Sequence, residues 1–486
     1  MRIRRKAGLL AAVMSSGLLC GLAGMAHGET LPEAIAMAYE TNPQILSQRS
    51  LLRNADELYF RTNRAFGPTV TADVSVSTTG TFDTNPAFGD RFNDREGLGV
   101  GLTASQSIYS GGRLTANIRA QQASLLSQRE ALRRVEMQVL LSVVQDYVEV
   151  NRALQSLDIA QQNVTVLERA RSEAQIRFEV GNNTRTDVKQ AESRLAASQN
   201  SLAQAQASLA NARAVYAQVV GQAPGKLDPE PSIADLLPPD VMTAFKIALE
   251  NNPTLRSAYL SERQSAEQIS AAKAAYLPNV SASVSAGYDP GVFDQRNNGN
   301  VTAALRLSIP LFTGFTTAST VRSAIETNKN DQIGIDSQRR AVQQQVTQAY
   351  NSLVSARQSI KSGLVGVDAS AAAQAGTREE QQVGLKTTLD VLNAEQEFRS
   401  AQQSLVNSRA NEYNASVQLL NAMGKLDTDT FKAKVERYDP KEHFDKINDF
   451  ELPWEALVKT IDQIRTSPAP VRQPGDGEII PTFDTP

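Results

Sequence analysis

Four segments of the chain alternate between apolar residues and small or polar ones. The apolar members of the first two segments are Val70, Ala72, Val74 and Val76, then Leu98, Val100, Leu102 and Ala104. Those of the last two are Val280, Ala282, Val284 and Ala286, then Val301, Ala303, Leu305, Leu307 and Ile309. A period of two over about ten residues predicts strands with one apolar face, as in membrane strands around a wet lumen. A soluble hairpin with one buried face has the same pattern, so both interpretations stay open at this point.

Helical stretches surround each pair of predicted strands. The helices before the strands are predicted over residues 31–65 and 241–275. Pro68 and Pro278 end them, because proline lacks an N–H and disfavours helix in the residue before it. After the strands, proline-free stretches run over residues 113–178 and 316–382. At 1.5 Å per residue each would be roughly 100 Å long, which no globular domain needs.

A shorter helix returns from each long one. It begins after a turn at residues 181–183 or 384–385 and ends at Gly221 or Gly424. Large and small residues form two columns with a spacing of seven: Val188, Leu195, Leu202, Leu209 and Tyr216 beside Ala191, Ser198, Ala205, Ala212 and Val219, then Val391, Phe398, Leu405 and Leu419 beside Ala394, Ala401, Ser408, Ala415 and Ala422. Such columns let helix backbones approach closely in a wall of helices. A two-helix coiled coil explains these heptads equally well, and nothing explains why Glu412 interrupts the second large column.

The chain is a tandem duplication of about 200 residues followed by a tail. Residues 38–43 match residues 248–253 at an offset of 210, and residues 108–111 match residues 311–314 at an offset of 203. Later matches keep the second offset: Tyr147 and Tyr350, Val180-Gly181 and Val383-Gly384, Asp187 and Asp390, Gly221 and Gly424. The offset drops by seven between the strands, which predicts a longer loop in the first copy, around residues 81–96.

These patterns divide the chain into five segments. Residues 1–28 are predicted to be a signal peptide, and residues 29–221 the first structural repeat. A proline-rich linker at residues 222–240 leads to the second repeat at residues 241–424. Residues 425–486 form a tail whose proline-rich end is predicted to be disordered.

The first residues have the three parts of a secretory signal peptide. A basic start (Arg2 to Lys6) precedes an apolar stretch, and Ala26 and Gly28 place small residues where signal peptidase requires them. Cys20, the only cysteine, lies within that stretch. A lipid-anchor motif has a small residue directly before its cysteine, and Leu19 at that position argues against a lipid anchor here. No later apolar run is long enough for a transmembrane helix, so we expect strands or a surface helix to make any membrane contact.

Composition argues against an enzyme and against a nucleic-acid partner. The formal net charge is −3, and removal of residues 1–28 with their four basic side chains makes it −7. After that removal His443 is the only histidine, and it has no partner motif for catalysis or metal binding. Residues 221–226 are too short for a phosphate loop, and Leu227 stands where such a loop needs Ser or Thr. We therefore predict no catalytic, cofactor-binding or metal-ligating residues.

Four strands per chain cannot close a membrane barrel. The smallest single-chain barrels have eight strands, and an open edge in lipid leaves backbone groups unpaired. Two chains would pool eight strands, whose lumen the side chains would fill, whereas three would pool twelve and leave a passage. Both strand pairs lie between helices, so the helices would hang from one end of the barrel and continue it as a channel.

Two other protein classes pool or combine similar elements. A trimeric coiled-coil surface adhesin pools four strands per chain but carries them together at its C-terminus, whereas here they are split between the two copies. A periplasmic scaffold protein of the adaptor type has one helical hairpin flanked by β domains, not two hairpins in duplicated order. Both classes fit the order of elements less well than a duct.

Short motifs that recur in both copies resemble those of the TolC family of outer-membrane factors, the outer membrane efflux protein family. They are the Asn-Pro pairs at 42–43 and 252–253, the strand endings at 108–112 and 311–315, and the Val-Gly turns that precede Asp187 and Asp390. The resemblance implies a mainly α fold with membrane β: a trimeric twelve-stranded β-barrel continued by a long α-helical coiled-coil barrel. A belt made of the linker and the tail would surround its middle.

The same resemblance implies a function and partners. The protein would be an outer-membrane channel with a large periplasmic portion, without enzyme activity. It would pass substrates outward for multidrug efflux pumps or type I secretion. A periplasmic adaptor and an inner-membrane transporter of the RND or ABC class would dock beneath it.

The two helical turns are the candidate functional site. Gly181 and Gly384 are expected to be helix C-caps, and the resemblance makes their turns the adaptor-docking positions, with the residues Val180, Gly181, Val383, Gly384 and Leu385. Asp187 and Asp390 lie three residues after a threonine, which is the spacing of a capping box.

The resemblance also implies a periplasmic gate made of Asp390, Asn393, Lys386 and Asp187. The family has two aspartates one helical turn apart, and here Asp390 matches the first while Asn393 occupies the second position. Lys386 occupies the position of an arginine and cannot form its bidentate fork, so we expect a looser lock. In a trimer each Asp390 would meet two copies of itself, and like charges raise one another's pKa and attract cations.

Overall fold

The computed structural model describes residues 29–85, 89–289, 298–448, 453–464, 466 and 468–470. The predicted signal peptide and the end of the tail lie outside these residues. The first repeat contains α1 (Leu31–Thr41), α2 (Pro43–Asn63), β1 (Thr69–Asn85), β2 (Gly89–Tyr109), α3 (Arg113–Glu179) and α4 (Arg185–Val220). The second contains α5 (Val241–Asn251), α6 (Pro253–Lys273), β3 (Asn279–Asp289), β4 (Asn298–Ser308), α7 (Thr316–Gln382) and α8 (Thr388–Ala422). The tail contains α9 (Glu442–Asn448) and α10 (Glu455–Asp462).

The predicted first helix of each repeat is wrong in one respect, because it is two helices. The chain leaves the helical conformation at Asn42 and at Asn252, where ψ is 124° and 118°. Each asparagine precedes a proline, which disfavours helix in the residue before it and starts the next helix at its own first position.

Each of these asparagines joins two helices. The Oδ1 atom of Asn42 accepts from the N–H of Gln44, and its Nδ2 donates to the carbonyl of Val219 at 2.9 Å. Asn252 repeats the arrangement on the N-terminus of α6 and on the carbonyl of Ala422. Each asparagine side chain therefore binds an N–H group at the start of one helix and a carbonyl at the end of another, where the backbone has no partner within its own helix.

The two long helices have the predicted extent. Both α3 and α7 contain 67 residues, which corresponds to roughly 100 Å each. Within the described residues, no helix combines the length and the apolar character needed to cross a membrane.

The four strands form one antiparallel sheet in the order β1-β2-β3-β4. The predicted loop at residues 81–96 is wrong, because most of it continues the first hairpin. Pairing between β1 and β2 extends from Thr69 opposite Ser105 to Asn85 opposite Gly89. The extra residues of the first repeat therefore lengthen two strands instead of forming a loop.

One face of this sheet is apolar, and no described residue covers it. Its cross-strand rows join residues from all four strands, as in the row of Ala72, Leu102, Ala286 and Val301. Val301 is 78% exposed, and the neighbouring valines and leucines of the face are exposed as well. A soluble hairpin would bury such a face, so the structure favours the membrane interpretation of the alternating pattern.

The opposite face carries small and polar residues. Its rows contain Thr71, Thr103, Ser285 and Thr302, then Asp73, Gly101, Gly287 and Asn300. A Cβ atom on Gly287 would lie 2.6 Å from Oδ1 of Asn300, so a larger residue would crowd its neighbour across the strands. This face has the composition of a wet lumen.

The heptad columns are buried where the helices of one chain pack together. In α4 the buried members include Val188, Ala191, Leu209 and Tyr216. In α8 the buried members Leu405, Leu419 and Ala422 follow the prediction, but near the turn Leu392 and Glu395 are buried in place of Val391 and Ala394. The buried stripe therefore shifts by one residue near the turn, where α8 packs against the first repeat.

The linker is fixed at the middle of α3. The hydroxyl of Tyr147, a buried residue at that midpoint, donates to the carbonyls of Glu29 and Asp228 at 2.9 and 2.7 Å. The hydroxyl of Tyr216 donates to the Glu29 carboxylate at 2.7 Å. Burial raises the pKa of both tyrosines, so both stay neutral donors at any ordinary pH.

We predict that Asn42→Ala lowers the free energy of unfolding by about 1–3 kcal/mol, because α2 loses its cap and the Val219 carbonyl loses its donor. Thermal unfolding followed by circular dichroism measures the change. Gln44→Ala is the matched control, since that side chain is exposed two residues away and should matter by less than about 0.5 kcal/mol. Equal stability of the two variants would contradict the prediction.

Candidate functional site: the two helical turns

Each long helix ends in a Schellman motif. Gly181 and Gly384 have φ of +84° and +82°, a left-handed conformation that glycine adopts without strain. The N–H of Gly181 donates to the carbonyl of Phe178, and the N–H of Asn182 donates to the carbonyl of Arg177 at 2.7 Å. The second turn repeats both bonds, from Gly384 to Gln381 and from Leu385 to Glu380. Both predicted glycines are therefore C-caps of equal geometry.

Apolar side chains surround both turns, and the described part of the chain leaves them exposed. Val383 is 72% exposed and Leu385 is 75% exposed, and Val180 is similarly open. Sequence reasoning missed Ile176 and Phe178, which are also exposed. Ile176 lies one helical turn before Val180 on the same face of α3, whereas Phe178 lies on another face of that helix. Exposed apolar groups collected at a tip indicate a surface that another molecule covers.

Both aspartates form the capping box that the spacing predicts. The N–H and Oγ–H of Thr387 donate to Oδ2 of Asp390 at 2.9 and 2.7 Å, and the N–H of Asp390 donates to Oγ1 of Thr387 at 3.2 Å. Thr184 and Asp187 repeat all three bonds at the same distances. The first turns of α4 and α8 are therefore equally capped.

The pKa of Asp390 is lowered within one chain. The largest cause is the backbone N–H of Thr387, followed by its hydroxyl and by the positive charge of Lys386, because each stabilises the ionised form. Lys386 makes no ion pair with any described residue, so its charge acts from a distance. Asp390 is thus a carboxylate that stays ionised well below neutral pH.

The structure brings Asn393 to an arginine that sequence reasoning missed. Nη2 of Arg194, on α4, donates to Oδ1 of Asn393, on α8, at 3.0 Å. This bond joins the two repeats two helical turns behind Asp187. The predicted gate residues are therefore not one cluster: Asn393 pairs with Arg194, while Asp187 and Asp390 each bind their own threonine.

The two hairpins pack against each other at the tip. Leu392 inserts among Leu167, Ala174, Val188 and Ala191 of the first repeat. Arg378 and Glu173 join α7 to α3 with 3.7 Å between Nη2 and Oε1. Glu395 is another missed residue: it is buried and bound by Arg399 at 2.8 Å and Gln374 at 2.9 Å. No local pattern indicates it, because its burial depends on the helix opposite.

Comparison with known proteins assigns both repeats to one family. The family model described as outer membrane efflux protein matches residues 34–222 and again residues 244–425. The two matches cover most of the chain and coincide with the two repeats, which confirms the duplication. The resemblance to this family that the short motifs indicate is thus confirmed by a family model that matches most of the chain.

Individual relatives agree with this match. The chain is 31% identical over 442 residues to the outer membrane efflux protein BepC of Brucella suis biovar 1 (strain 1330), covering 90% of this chain and 94% of BepC. It is 26% identical to the alkaline protease secretion protein AprF of Pseudomonas aeruginosa, covering 63% and 65%. The structure is similar to the outer membrane protein VceC of Vibrio cholerae, with a TM-score of 0.69, 19% identity and coverage of 81% and 96%.

We predict that Thr387→Ala loosens the turn before α8. The variant removes one acceptor and one donor of the capping box, so cleavage by trypsin after Lys386 should become roughly fivefold faster. Thr377→Ala is the matched control, because the hydroxyl of that residue donates to the carbonyl of Ala373 in its own helix. An unchanged rate of cleavage would contradict the prediction.

The pH dependence of this effect has a definite sign. A carboxylate whose folded-state pKa is lowered stabilises the fold above its unfolded pKa, and it loses that effect as the pH falls through the lowered value. The difference in thermal stability between the wild type and Thr387→Ala should therefore be constant at neutral pH and shrink below about pH 4.

Proposed function

Because the chain belongs to the outer membrane efflux protein family, we propose that three copies of it close one barrel and form an exit duct whose periplasmic mouth is gated at the turn before α8. The chain is an outer-membrane channel that serves efflux or secretion. Its localisation, the cell outer membrane with a periplasmic helical portion, agrees with the prediction from the motifs. The adhesin and scaffold alternatives gain no support from these relatives.

The observation that carries the trimer is the sheet with two open edges. Among the described residues, β1 and β4 each pair on one side only. An apolar face of this kind belongs in lipid, where unpaired N–H and carbonyl groups are costly. Pairing of β4 with β1 of a neighbouring copy removes both edges, and three copies give twelve strands. A barrel of eight strands from two copies would be filled by side chains.

The proposed gate uses the charge of Asp390. Its carboxylate stays ionised because Thr387 holds it, so three copies around an axis would place three negative charges at the mouth. Lys386 stands beside each of them, and neutral Asn393 stands one turn further along α8. Three carboxylates attract cations and resist the passage of anions. Docking of a partner on the turns would move α8 and relax this ring.

The proposed partners follow from the exposed turns. Family members act with periplasmic adaptors and inner-membrane transporters. The turns that end α3 and α7 lie at the far end of these helices from the sheet. They expose the apolar side chains of Val180, Val383 and Leu385, which an adaptor hairpin would bury. The transporter beneath would be of the RND or ABC class. Efflux is the favoured role, because the relative with 31% identity is an efflux protein. We further propose that the chain catalyses no reaction and binds no cofactor.

The gate is tested by single-channel conductance in a planar lipid bilayer. The wild type should conduct weakly and prefer cations, and Asp390→Ala should conduct several-fold more with less preference, because the ring of charge is gone. Asp187→Ala breaks the same capping box in the first repeat and controls for fraying, so its rise should be smaller. Unchanged conductance in Asp390→Ala would contradict the gate but leave the duct.

Docking is tested by binding of the cognate adaptor hairpin to the purified protein, measured by biolayer interferometry. Leu385→Asp should weaken binding about tenfold or more, because a charge replaces an apolar group that the hairpin buries. Gln382→Asp places the same charge at the end of α7 and is the matched control. Equal binding of both variants would move the docking site away from the turns.

A further inference from the structure

We propose that Asp462, in the tail helix α10, is a positioning residue that holds the junction between β2 and α3. The two elements meet at Ser110, Gly111 and Gly112, where the wall of strands continues into the wall of helices. Asp462 lies about 350 residues further along the chain, and yet it is 1% exposed and is enclosed by this junction. An acid so deeply buried requires partners, and the junction supplies them.

Asp462 accepts five hydrogen bonds from three residues. The N–H and Oγ–H of Ser110 donate to Oδ1 at 2.7 and 2.9 Å, and the N–H of Gly112 adds a third bond at 3.2 Å. Oδ2 accepts from the N–H and Oγ–H of Thr115 at 3.3 and 2.9 Å. Hydrogen bonds to a carboxylate are stronger than those between neutral groups, so this contact is a strong one.

These bonds complete the start of α3, which has no cap of its own. The residue before the helix is Gly112, which has no side chain that could accept from the first N–H groups of the helix. Oγ of Ser110 accepts from the N–H of Leu114, and its O–H donates to Asp462, while the N–H of Thr115 donates to Asp462 directly. The tail therefore supplies from a distance the acid that a helix start favours.

The shape of the junction supports the same docking. A Cβ atom on Gly112 would lie 1.9 Å from Cγ2 of Thr466, so the backbone at Gly112 must be bare for the tail to reach it. The matching residue of the second repeat is Phe315, which has φ of +66° and an exposed ring. A bulky residue in this strained conformation leaves no comparable room. Glycine stands at the junction that the tail covers.

Two further contacts fix the tail on either side of Asp462. Glu455, buried at the start of α10, binds Nη1 of Arg64 at 2.8 Å, just before β1. Beyond α10, the N–H of Ala469 donates to buried Glu267 of α6 at 3.0 Å. The tail thus crosses from the first repeat to the second over the end of the sheet. It contacts the chain just before β1, at the junction of β2 and α3, and on α6 before β3.

The first test compares Asp462→Asn with the wild type in the full-length protein purified from outer membranes. Asparagine keeps the size but replaces one acceptor oxygen with an NH2 donor, which must face an N–H of the junction. Cleavage of the tail by trypsin after Lys459 should become about tenfold faster. Asp445→Asn is the matched control, since that acid is exposed in the same tail, and it should be cleaved like the wild type.

The second test separates positioning from stability. Conductance is recorded from single inserted channels, so the fraction of protein that folds does not enter the result. Asp462→Asn channels should visit sub-conductance levels more often than wild-type or Asp445→Asn channels, because the junction is no longer held. Wild-type cleavage of Asp462→Asn would overturn the contact. Fast cleavage with unaltered conductance would overturn the positioning role.

The conductance test rests on the proposed duct, whereas the cleavage test does not. A wild type that does not conduct would refute the duct and leave the cleavage result to decide on Asp462. Should Asp462→Asn fail to fold, Thr115→Val decides instead, because it removes one donor to Oδ2 at constant shape. It should speed cleavage of the tail by a smaller factor, and an unchanged rate would overturn the proposal.

Discussion

A sheet with one face in lipid cannot leave its edges open. Every N–H and carbonyl at such an edge would lose its hydrogen bonds to water and gain none in return, at several kcal/mol for each group. Within the residues that the structure describes, the four strands have an exposed apolar face and two unpaired edges, β1 and β4. In the proposed trimer this requirement makes the four-stranded sheet part of a larger barrel. Each antiparallel hairpin has a helix before its first strand and after its second, so these helices meet the sheet at the same end.

Because of the duplication, the same contacts occur once in each repeat. Asn42 and Asn252 join the same pairs of helices in the two repeats, and Thr184 and Thr387 cap the two returning helices with equal bond lengths. Neighbouring repeats can therefore pack side by side around an axis with almost the same surface. The repeats differ at the tip, where Arg194 of the first repeat donates a hydrogen bond to Asn393 of the second. Asn393 and Arg194 have no such match, and they lie at the tip.

Local chemistry was readable from the sequence, and distant contacts were not. Period-two alternation found the strands, and the absence of proline found α3 and α7 almost to the residue. The Asn-Pro pairs were read as motifs, but their breaking of a helix at Asn42 was missed. The loop at 81–96 was wrong because polar residues in a hairpin beyond the apolar band resemble a loop. Arg194, Glu395 and Asp462 were missed because their partners lie on other elements, and no spacing along the chain records them.

The tail makes the two repeats unequal at the point where strands become helices. Each chain has two such junctions but one α10, so in the proposed trimer three of six junctions are held by Asp462 and three are not. The uncovered junction carries Phe315 and the exposed side chains Leu311 and Phe312, and it follows β4, the edge strand. The covered junction follows β2, inside the sheet. In the proposed trimer the junction held by Asp462 therefore lies inside each chain, and the other junction lies beside the strand that pairs with the next copy.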